Sequence, residues 1–435
     1  MKVLSLFDGM ACGMLAMMQA GITVDRYVAF EIDKYAVQTS SHNFPMIEHR
    51  GDVFHADFTD FSGFDFLVGG SPCTYWSIAQ KNNRETEASG MGWELFCQYV
   101  RALREAQPMY FIYENNKSMS NAIRKSITET FGFEPICINS ALVSAQNRQR
   151  LYWVGKRNID GTYSRVHVDQ PEDKGILLRD ILDDAAKRIP EYSSQEKGRP
   201  LNANYSNNCG GFANRMFSNN PKKQQVDLIA QPVGIGYRGR MENGKWVKRY
   251  ESNEEPKANA LTTARTDSMV AETVRVGALS RPNGELSTSQ AFRVYAVDGK
   301  SVNITEGGGG AGGKTGLYAI PIEFDGDVPT KAVSGSDGKT YTVYEVKDGQ
   351  ITIKGKQYPI KLADGFYIIR KLTVSECKML QTVPEWYEFP VSDTQAYKML
   401  GNGWTVEVIA HLIRATQANE LEEEQLDFLK MMGAV

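Results

Sequence analysis

The strongest constraint on the fold is an alternation in the first 130 or so residues, where short apolar runs take turns with amphipathic segments. Val3-Leu4-Ser5-Leu6-Phe7 is closed by Asp8-Gly9, Tyr27-Val28-Ala29-Phe30 by Glu31, Phe64-Asp65-Phe66-Leu67-Val68 by Gly69-Gly70, and Met109-Tyr110-Phe111-Ile112-Tyr113 by Glu114. Apolar runs of this length read as strands, and residues 14–19 and 94–106 between them have helical spacing. Repeated strand–helix alternation builds a parallel sheet covered on both faces. The expected fold class is α/β, with a doubly wound, mostly parallel sheet. Open sheets of this kind bind ligands at the carboxyl ends of their strands. The residues that close the runs are therefore the first candidates for function.

Near Gly155 the texture changes. From there to about Gly365 the chain is rich in Gly, Asn, Ser and Thr, with turn pairs at Asn243-Gly244, Asp298-Gly299, Asp337-Gly338 and Asp348-Gly349; the last three are good hairpin signals. Residues 257–262 and 300–305 share a rhythm, either as repeated β-units or by chance. Residues 307–310, four glycines with no helix pattern after them, read as a flexible loop and not as a phosphate cradle. Helical patterns resume near Leu372, and residues 406–413 read as a closing helix. The expected division is a first part of the α/β domain at residues 1–155, a large β-rich insertion at 156–368, and a returning segment at 369–435 that completes the domain.

Composition excludes several classes. At 42% hydrophobic and 10% aromatic residues, the chain can bury a core and is not globally disordered. A net charge of −3 gives no bulk attraction for nucleic acid, so any DNA contact needs a local basic surface. Arg238, Arg240, Lys245, Lys248 and Arg249 form such a cluster, which is also what a solvated hairpin carries. The six cysteines, Cys12, Cys73, Cys97, Cys137, Cys209 and Cys377, include no CxxC pair, against a zinc ribbon or a disulfide framework and in keeping with a reducing cytosol. His49, His55 and Asp57 are read as a solvated loop, and no metal site is expected. No apolar run approaches about 20 residues and no leader precedes the first strand, so a cytoplasmic protein away from membranes is expected.

Each strand-end feature has a plain reading by itself: Gly9 and Gly13 as a tight turn, Glu31 as an exposed acid, Cys73 as a small buried apolar residue. Taken in order they resemble the DNA cytosine-C5 methyltransferase family, of bacterial or phage type. Phe7-Asp8-Gly9-Met10-Ala11-Cys12-Gly13 resembles its cofactor loop, Glu31-Ile32 the ribose-binding acid and its neighbour, and Asp52-Val53 the pair that flanks the adenine. Gly69-Gly70-Ser71-Pro72-Cys73 is similar to the nucleophile motif, with Ser71 where many members have Pro. Glu114-Asn115 matches the Glu-Asn motif, and Gln146-Asn147-Arg148-Gln149-Arg150 matches Gln-x-Arg-x-Arg. Arg370-Lys371-Leu372-Thr373 through Leu380-Gln381 resembles the motif that supports the recognition domain. Gly401-Asn402-Gly403-Trp404 resembles the segment that completes the cofactor pocket. Asn116 departs from the usual Val, and Trp404 resembles the animal de novo enzymes.

The resemblance implies a Rossmann-like methyltransferase fold interrupted by a target-recognition insertion, acting on double-stranded DNA. It implies S-adenosyl-L-methionine as cofactor and S-adenosyl-L-homocysteine as product. Phe7, Asp8, Gly9, Gly13, Glu31, Ile32, Asp52, Val53, Pro72, Asn402 and Trp404 are its cofactor candidates. The chemistry it implies starts with the Cys73 thiolate adding to C6 of cytosine, which makes C5 nucleophilic. Glu114 acts at N3, provided burial raises its pKa, while Arg148 and Arg150 donate to the base O2 and to nearby phosphate. A stacked base is shielded on both faces, so the cytosine must be flipped out. Residues 74–92, with Tyr75, Trp76, Lys81, Asn82, Asn83 and Arg84, read as a mobile loop hinged at Gly90 and Gly92, or else as a surface loop with Trp76 packed inward. A monomer is expected, with a cognate restriction endonuclease as a further candidate partner. The competing readings are an RNA cytosine-C5 methyltransferase, a catalytically silent DNA-binding homologue and a nicotinamide dehydrogenase. The large insertion, the intact Cys73, Glu114, Arg148 and Arg150, and the absence of Gly-x-Gly-x-x-Gly argue against them in turn.

Overall fold

A computed structural model describes residues 1–77, 84–182, 235–242, 245–252, 275–278, 293–304, 317–322, 332–334, 339–353 and 356–431. Lys81, Asn82, Asn83, Cys209, Asn243-Gly244, Asp337-Gly338 and residues 257–262 and 307–310 lie outside them. The chain divides into two compact units. The first comprises Met1–Ile176, Val302–Thr315 and Leu372–Val435; the second comprises Leu177–Ser301 and Gly316–Lys371.

The first unit opens with β1 (Lys2–Leu6), α1 (Cys12–Gln19), β2 (Arg26–Phe30), α2 (Lys34–Asn43), β3 (Glu48–His49) and β4 (Phe66–Gly69). There follow α3 (Gly90–Ala106), β5 (Tyr110–Asn116), α4 (Asn121–Phe131), β6 (Ile136–Asn139), β7 (Gln149–Arg157) and β8 (Tyr163–Arg165). The sheet runs β3-β2-β1-β4-β5-β7-β6, with β8 paired to β7. The pairings among β1 to β5 are parallel, and β7 runs antiparallel to β5, β6 and β8. Strand order reverses between β1 and β4, the position at which such a sheet opens a crevice.

The apolar runs become strands because both of their faces are covered. Leu4, Leu6, Val28, Phe30, Leu67 and Phe111 are buried in one cluster with Phe96, Tyr99, Phe131 and Trp153. Each such side chain stabilises the fold by about 1.5–3 kcal/mol. Tyr99 of α3 reaches across, its hydroxyl donating to the carbonyls of Leu67 at 3.2 Å and Ile112 at 2.9 Å. Helix α4 starts where the Ser120 hydroxyl accepts the N–H of Ile123, and it ends on Gly132, whose φ of +82° suits glycine.

Three expectations shift. β5 runs on past Tyr113 because Glu114, Asn115 and Asn116 pair with Tyr152, Leu151 and Arg150 of β7, a partner that no local pattern announces. The first unit continues beyond residue 155, since β8 pairs with β7 and the Lys174 N–H reaches the Leu142 carbonyl at 2.8 Å. His49 lies in β3 rather than in a loop, with Nε2 3.2 Å from the Ser40 hydroxyl. Among the described residues no group of three or more His, Cys, Asp or Glu is placed to hold a metal ion.

The second unit holds the hairpin of β9 (Ile235–Glu242) and β10 (Lys245–Ser252), in whose register Arg238 faces Arg249. It also holds β11 (Arg275–Ala278), β12 (Arg293–Ala296), β13 (Leu317–Ile322), β14 (Ala332–Ser334), β15 (Thr340–Lys347), β16 (Gln350–Ile353), β17 (Lys356–Pro359) and β18 (Gly365–Arg370). These form one sheet in the order β11-β12-β13-β18-β15-β16-β17, with β14 on β15. Asp348-Gly349 makes the expected hairpin turn, with φ of +51° and +69°. Asp298-Gly299 does not, because β12 runs parallel to the following β13. The chain closes in the first unit with α5 (Val374–Leu380), α6 (Asp393–Asn402) and α7 (Val406–Met431), and α7 packs on α1. Helix α5 begins with a reciprocal cap: the Thr373 hydroxyl accepts the Glu376 N–H, and the Glu376 carboxylate accepts the Thr373 N–H. No helix among the described residues is long and apolar enough to cross a membrane.

Candidate active site

Functional candidates collect at the carboxyl ends of β1, β2, β4 and β5. After β1 the backbone is tightly wound, with positive φ at Phe7 (57°), Gly9 (59°) and Ala11 (60°). Two of these are not glycine, and strain of this kind, about 1–3 kcal/mol each, concentrates at ligand sites. Glu31, at the end of β2, ties the loop in place. One carboxylate oxygen accepts the Gly9 N–H at 2.8 Å, and the other accepts the N–H groups of Ile32 and Asp33, both at 2.8 Å. Asp8 is buried, with Oδ1 accepting from the hydroxyls of Ser5 (2.6 Å) and Tyr27 (2.7 Å), while Oδ2 is buried without a partner. Burial pushes its carboxyl up to about 6. Gly13 is buried in the first turn of α1. Asp52 caps a short turn by accepting the Phe54 N–H at 3.0 Å, and Val53 is buried. Ile32 is 76% exposed, an unusual state for isoleucine at a strand end.

The chain after β4 passes close to β5. A Cβ on Gly70 would lie 2.6 Å from the Glu114 carbonyl oxygen and 3.0 Å from its Oε2, so only glycine admits this approach. Ser71 is hydrogen-bonded to its surroundings: its hydroxyl is 2.7 Å from that of Tyr113, and its carbonyl accepts from Asn115 Nδ2 at 3.1 Å. Asn116 joins the same network by donating to Asn115 Oδ1. Pro72 is exposed, and half-buried Cys73 opens a single turn whose first carbonyl accepts the N–H groups of Trp76 and Ser77.

Trp76 packs fully inward, and its indole N–H donates to Glu85 at 3.0 Å. Gly92 is not a hinge. It lies within α3, where a Cβ would come within 2.5 Å of Trp76 Nε1 and 2.6 Å of Glu85 Oε2. Arg84 reinforces this neck, donating to the carbonyls of Trp76 (3.1 Å) and Ser118 (2.6 Å).

Glu114 is almost wholly buried, with a donor on each carboxylate oxygen: Arg150 Nε on Oε1 at 2.9 Å and Trp404 Nε1 on Oε2 at 3.1 Å. Arg148, for which donation to the base O2 and to nearby phosphate is expected, is engaged within the protein. Its Nη1 donates to Asn303 Oδ1 (2.8 Å) and to the carbonyls of Ile304 and Gly401 (both 3.2 Å), and its Nη2 donates to the Gly403 carbonyl (2.8 Å). Burial first, and then the charge of Arg150, press this guanidinium downwards, while Glu114 and Cys73 press it up, which puts all four groups in one electrostatic neighbourhood. Asn402 is exposed. The Trp404 indole, a cofactor candidate, donates its N–H to Glu114. Sequence reasoning missed the parts played by Glu85, Tyr113 and Asn303. All three lie in segments with a sequence signal of their own, the 74–92 loop, the fourth strand run and the 300–305 stretch, but nothing local marks the contacts they make.

The family described as C-5 cytosine-specific DNA methylase matches residues 1–418. The orphan methyltransferase M.SPRI of Bacillus phage SPR is 34% identical, over 95% of this chain and 97% of its own. The type II methyltransferase M.BanI of Aneurinibacillus aneurinilyticus is 24% identical, over 90% of this chain and 89% of its own. The solved methyltransferase EhMeth of Entamoeba histolytica superposes with a TM-score of 0.52 at 12% identity, covering 95% of this chain and 97% of that one, a likeness of fold alone. With the family matched over residues 1–418 and a relative 34% identical along nearly its whole length, the chain belongs to the C-5 cytosine-specific DNA methylase family and is a DNA cytosine-C5 methyltransferase.

Proposed function

We propose that Cys73 is the nucleophile of this methyl transfer, that Glu114 and Arg150 act together on the cytosine ring, and that the target base is flipped out of duplex DNA to reach them. The observation that carries the proposal is the close packing of Gly70, three residues before Cys73, against a carboxylate gripped by Arg150. The Cys73 thiolate adds to C6. The C5–C6 double bond opens and its electron pair collects at C5, while negative charge spreads to N3 and O2. Glu114 and Arg150 offer the ring edge a carboxyl and a guanidinium to balance that charge. Once C5 is methylated, loss of its proton re-forms the double bond and expels Cys73.

S-adenosylmethionine, the methyl donor the family implies, suits the residues after β1 and β2. It is cationic, and Asp8 Oδ2 is a buried oxygen without a partner. Phe7, Asp8, Gly9, Gly13, Glu31, Ile32, Asp52 and Val53 would hold it, and when bound it supplies an electrophilic methyl group. Incubating the protein and cofactor with duplex DNA carrying 5-fluorocytosine, whose C5 has no proton to lose, should leave a denaturation-resistant adduct. Cys73→Ser should give none while still binding DNA. Methylation by the intact protein without any adduct would remove Cys73 from the chemistry.

A further inference from the structure

We propose that Trp404 is a positioning residue for Glu114, and that Arg148 serves it by bracing the main chain on which it sits. The inference rests on the reading of Glu114 as a group that acts on the base. Trp404 stands between α6 and α7, 290 positions from Glu114, yet its indole N–H donates to Oε2 at 3.1 Å. An indole N–H donates and never accepts, so it can orient a carboxylate but does not exchange a proton with it at neutral pH. With Arg150 on Oε1 at 2.9 Å, the two donors fix the carboxyl from both oxygens.

The indole is itself held from behind. The Gly403 carbonyl accepts from Arg148 Nη2 at 2.8 Å and from Gln381 Nε2 at 3.3 Å. The Gly401 carbonyl accepts from Arg148 Nη1, and the Thr405 hydroxyl donates to Gln381 Oε1 at 2.8 Å. The remaining Arg148 contacts, to the Asn303 side-chain amide oxygen and the Ile304 carbonyl, tie the guanidinium to a second stretch of chain. A buried guanidinium engaged in this way is a brace: it fixes residues 401–404, and through Trp404 it fixes the reacting carboxyl.

Trp404→Phe keeps a ring and deletes only the donor, and thermal melting would establish that the variant folds. At saturating cofactor its single-turnover methylation rate should fall by about 10-fold, the size expected for one hydrogen bond to a charged group. Its affinity for S-adenosylhomocysteine, measured by calorimetry, should change less than about 2-fold. In a Glu114→Ala background, adding Trp404→Phe should slow the residual reaction no further, because the acceptor is already gone. Arg148→Lys should reproduce the slow step and also fail to add to Trp404→Phe. Weakened S-adenosylhomocysteine binding with an unchanged saturated rate would make Trp404 a cofactor residue alone and overturn the proposal, as would losses that multiply in the Glu114→Ala background. Failure of the fluorocytosine trap with the intact protein would instead strike the underlying reading of the site.

Discussion

Asp8 is held against its solvation preference. Burial pushes its carboxyl from the ordinary 3.8 up to about 6, the neighbouring Glu31 adds to the rise, and the hydrogen bonds from Ser5 and Tyr27 oppose it. Between those values the folded chain binds the proton that the unfolded chain has already lost. The stability contributed by Asp8 is therefore complete below about pH 4 and is lost as the pH rises through about 6, on the order of 3 kcal/mol. Denaturant melts of the cofactor-free protein from about pH 3 to 7 should show this fall relative to Asp8→Asn, and identical slopes would contradict the burial of the charge. Glu114 makes a different demand. Glu114→Gln keeps the shape and an acceptor but loses the acid, so the single-turnover rate should drop by about 10²-fold or more while DNA affinity holds. An unchanged rate would take Glu114 out of the reaction.

At the level of elements, the neck formed by Trp76, Glu85 and Gly92 makes α3 part of the support for the turn that begins at Cys73. Gly92→Ala inserts a methyl group where Trp76 Nε1 would stand 2.5 Å away. Overpacking of this kind costs about 1–3 kcal/mol, so the melting temperature should fall; an unchanged melt would mean that the neck yields readily. This contact shows where sequence stops informing. Strands β1, β2, β4 and β5 were legible because their apolar runs are local and their closing residues, Asp8, Glu31, Cys73 and Glu114, follow directly. The length of β5 was not, because Asn115 and Asn116 are strand only through β7. Gly92 looked like a hinge because glycine signals freedom and close packing equally well, and only the position of Trp76 separates the two. Trp404 was noticed, but its partner lies 290 positions away.

Over the whole molecule, every residue proposed for chemistry falls in the first unit, and the Arg238–Arg249 pair falls in the second. Base edges are read by side chains in the grooves, at about 1–3 kcal/mol for each good bidentate contact, whereas phosphate contacts position the duplex without choosing a sequence. Exchanging residues 177–301 and 316–371 for those of a related enzyme, while keeping Asn303 and Ile304 for Arg148, should therefore change the methylated sequence and preserve Cys73 chemistry. An active exchange product with the original target would place recognition elsewhere. The most direct measurement is bisulfite sequencing of DNA from cells that express the intact chain or its Cys73→Ser variant. Protected cytosines should recur within one short duplex sequence for the intact chain and vanish for the variant; conversion of every cytosine by the intact chain, or protection that survives in Cys73→Ser, would contradict C5 methylation through Cys73.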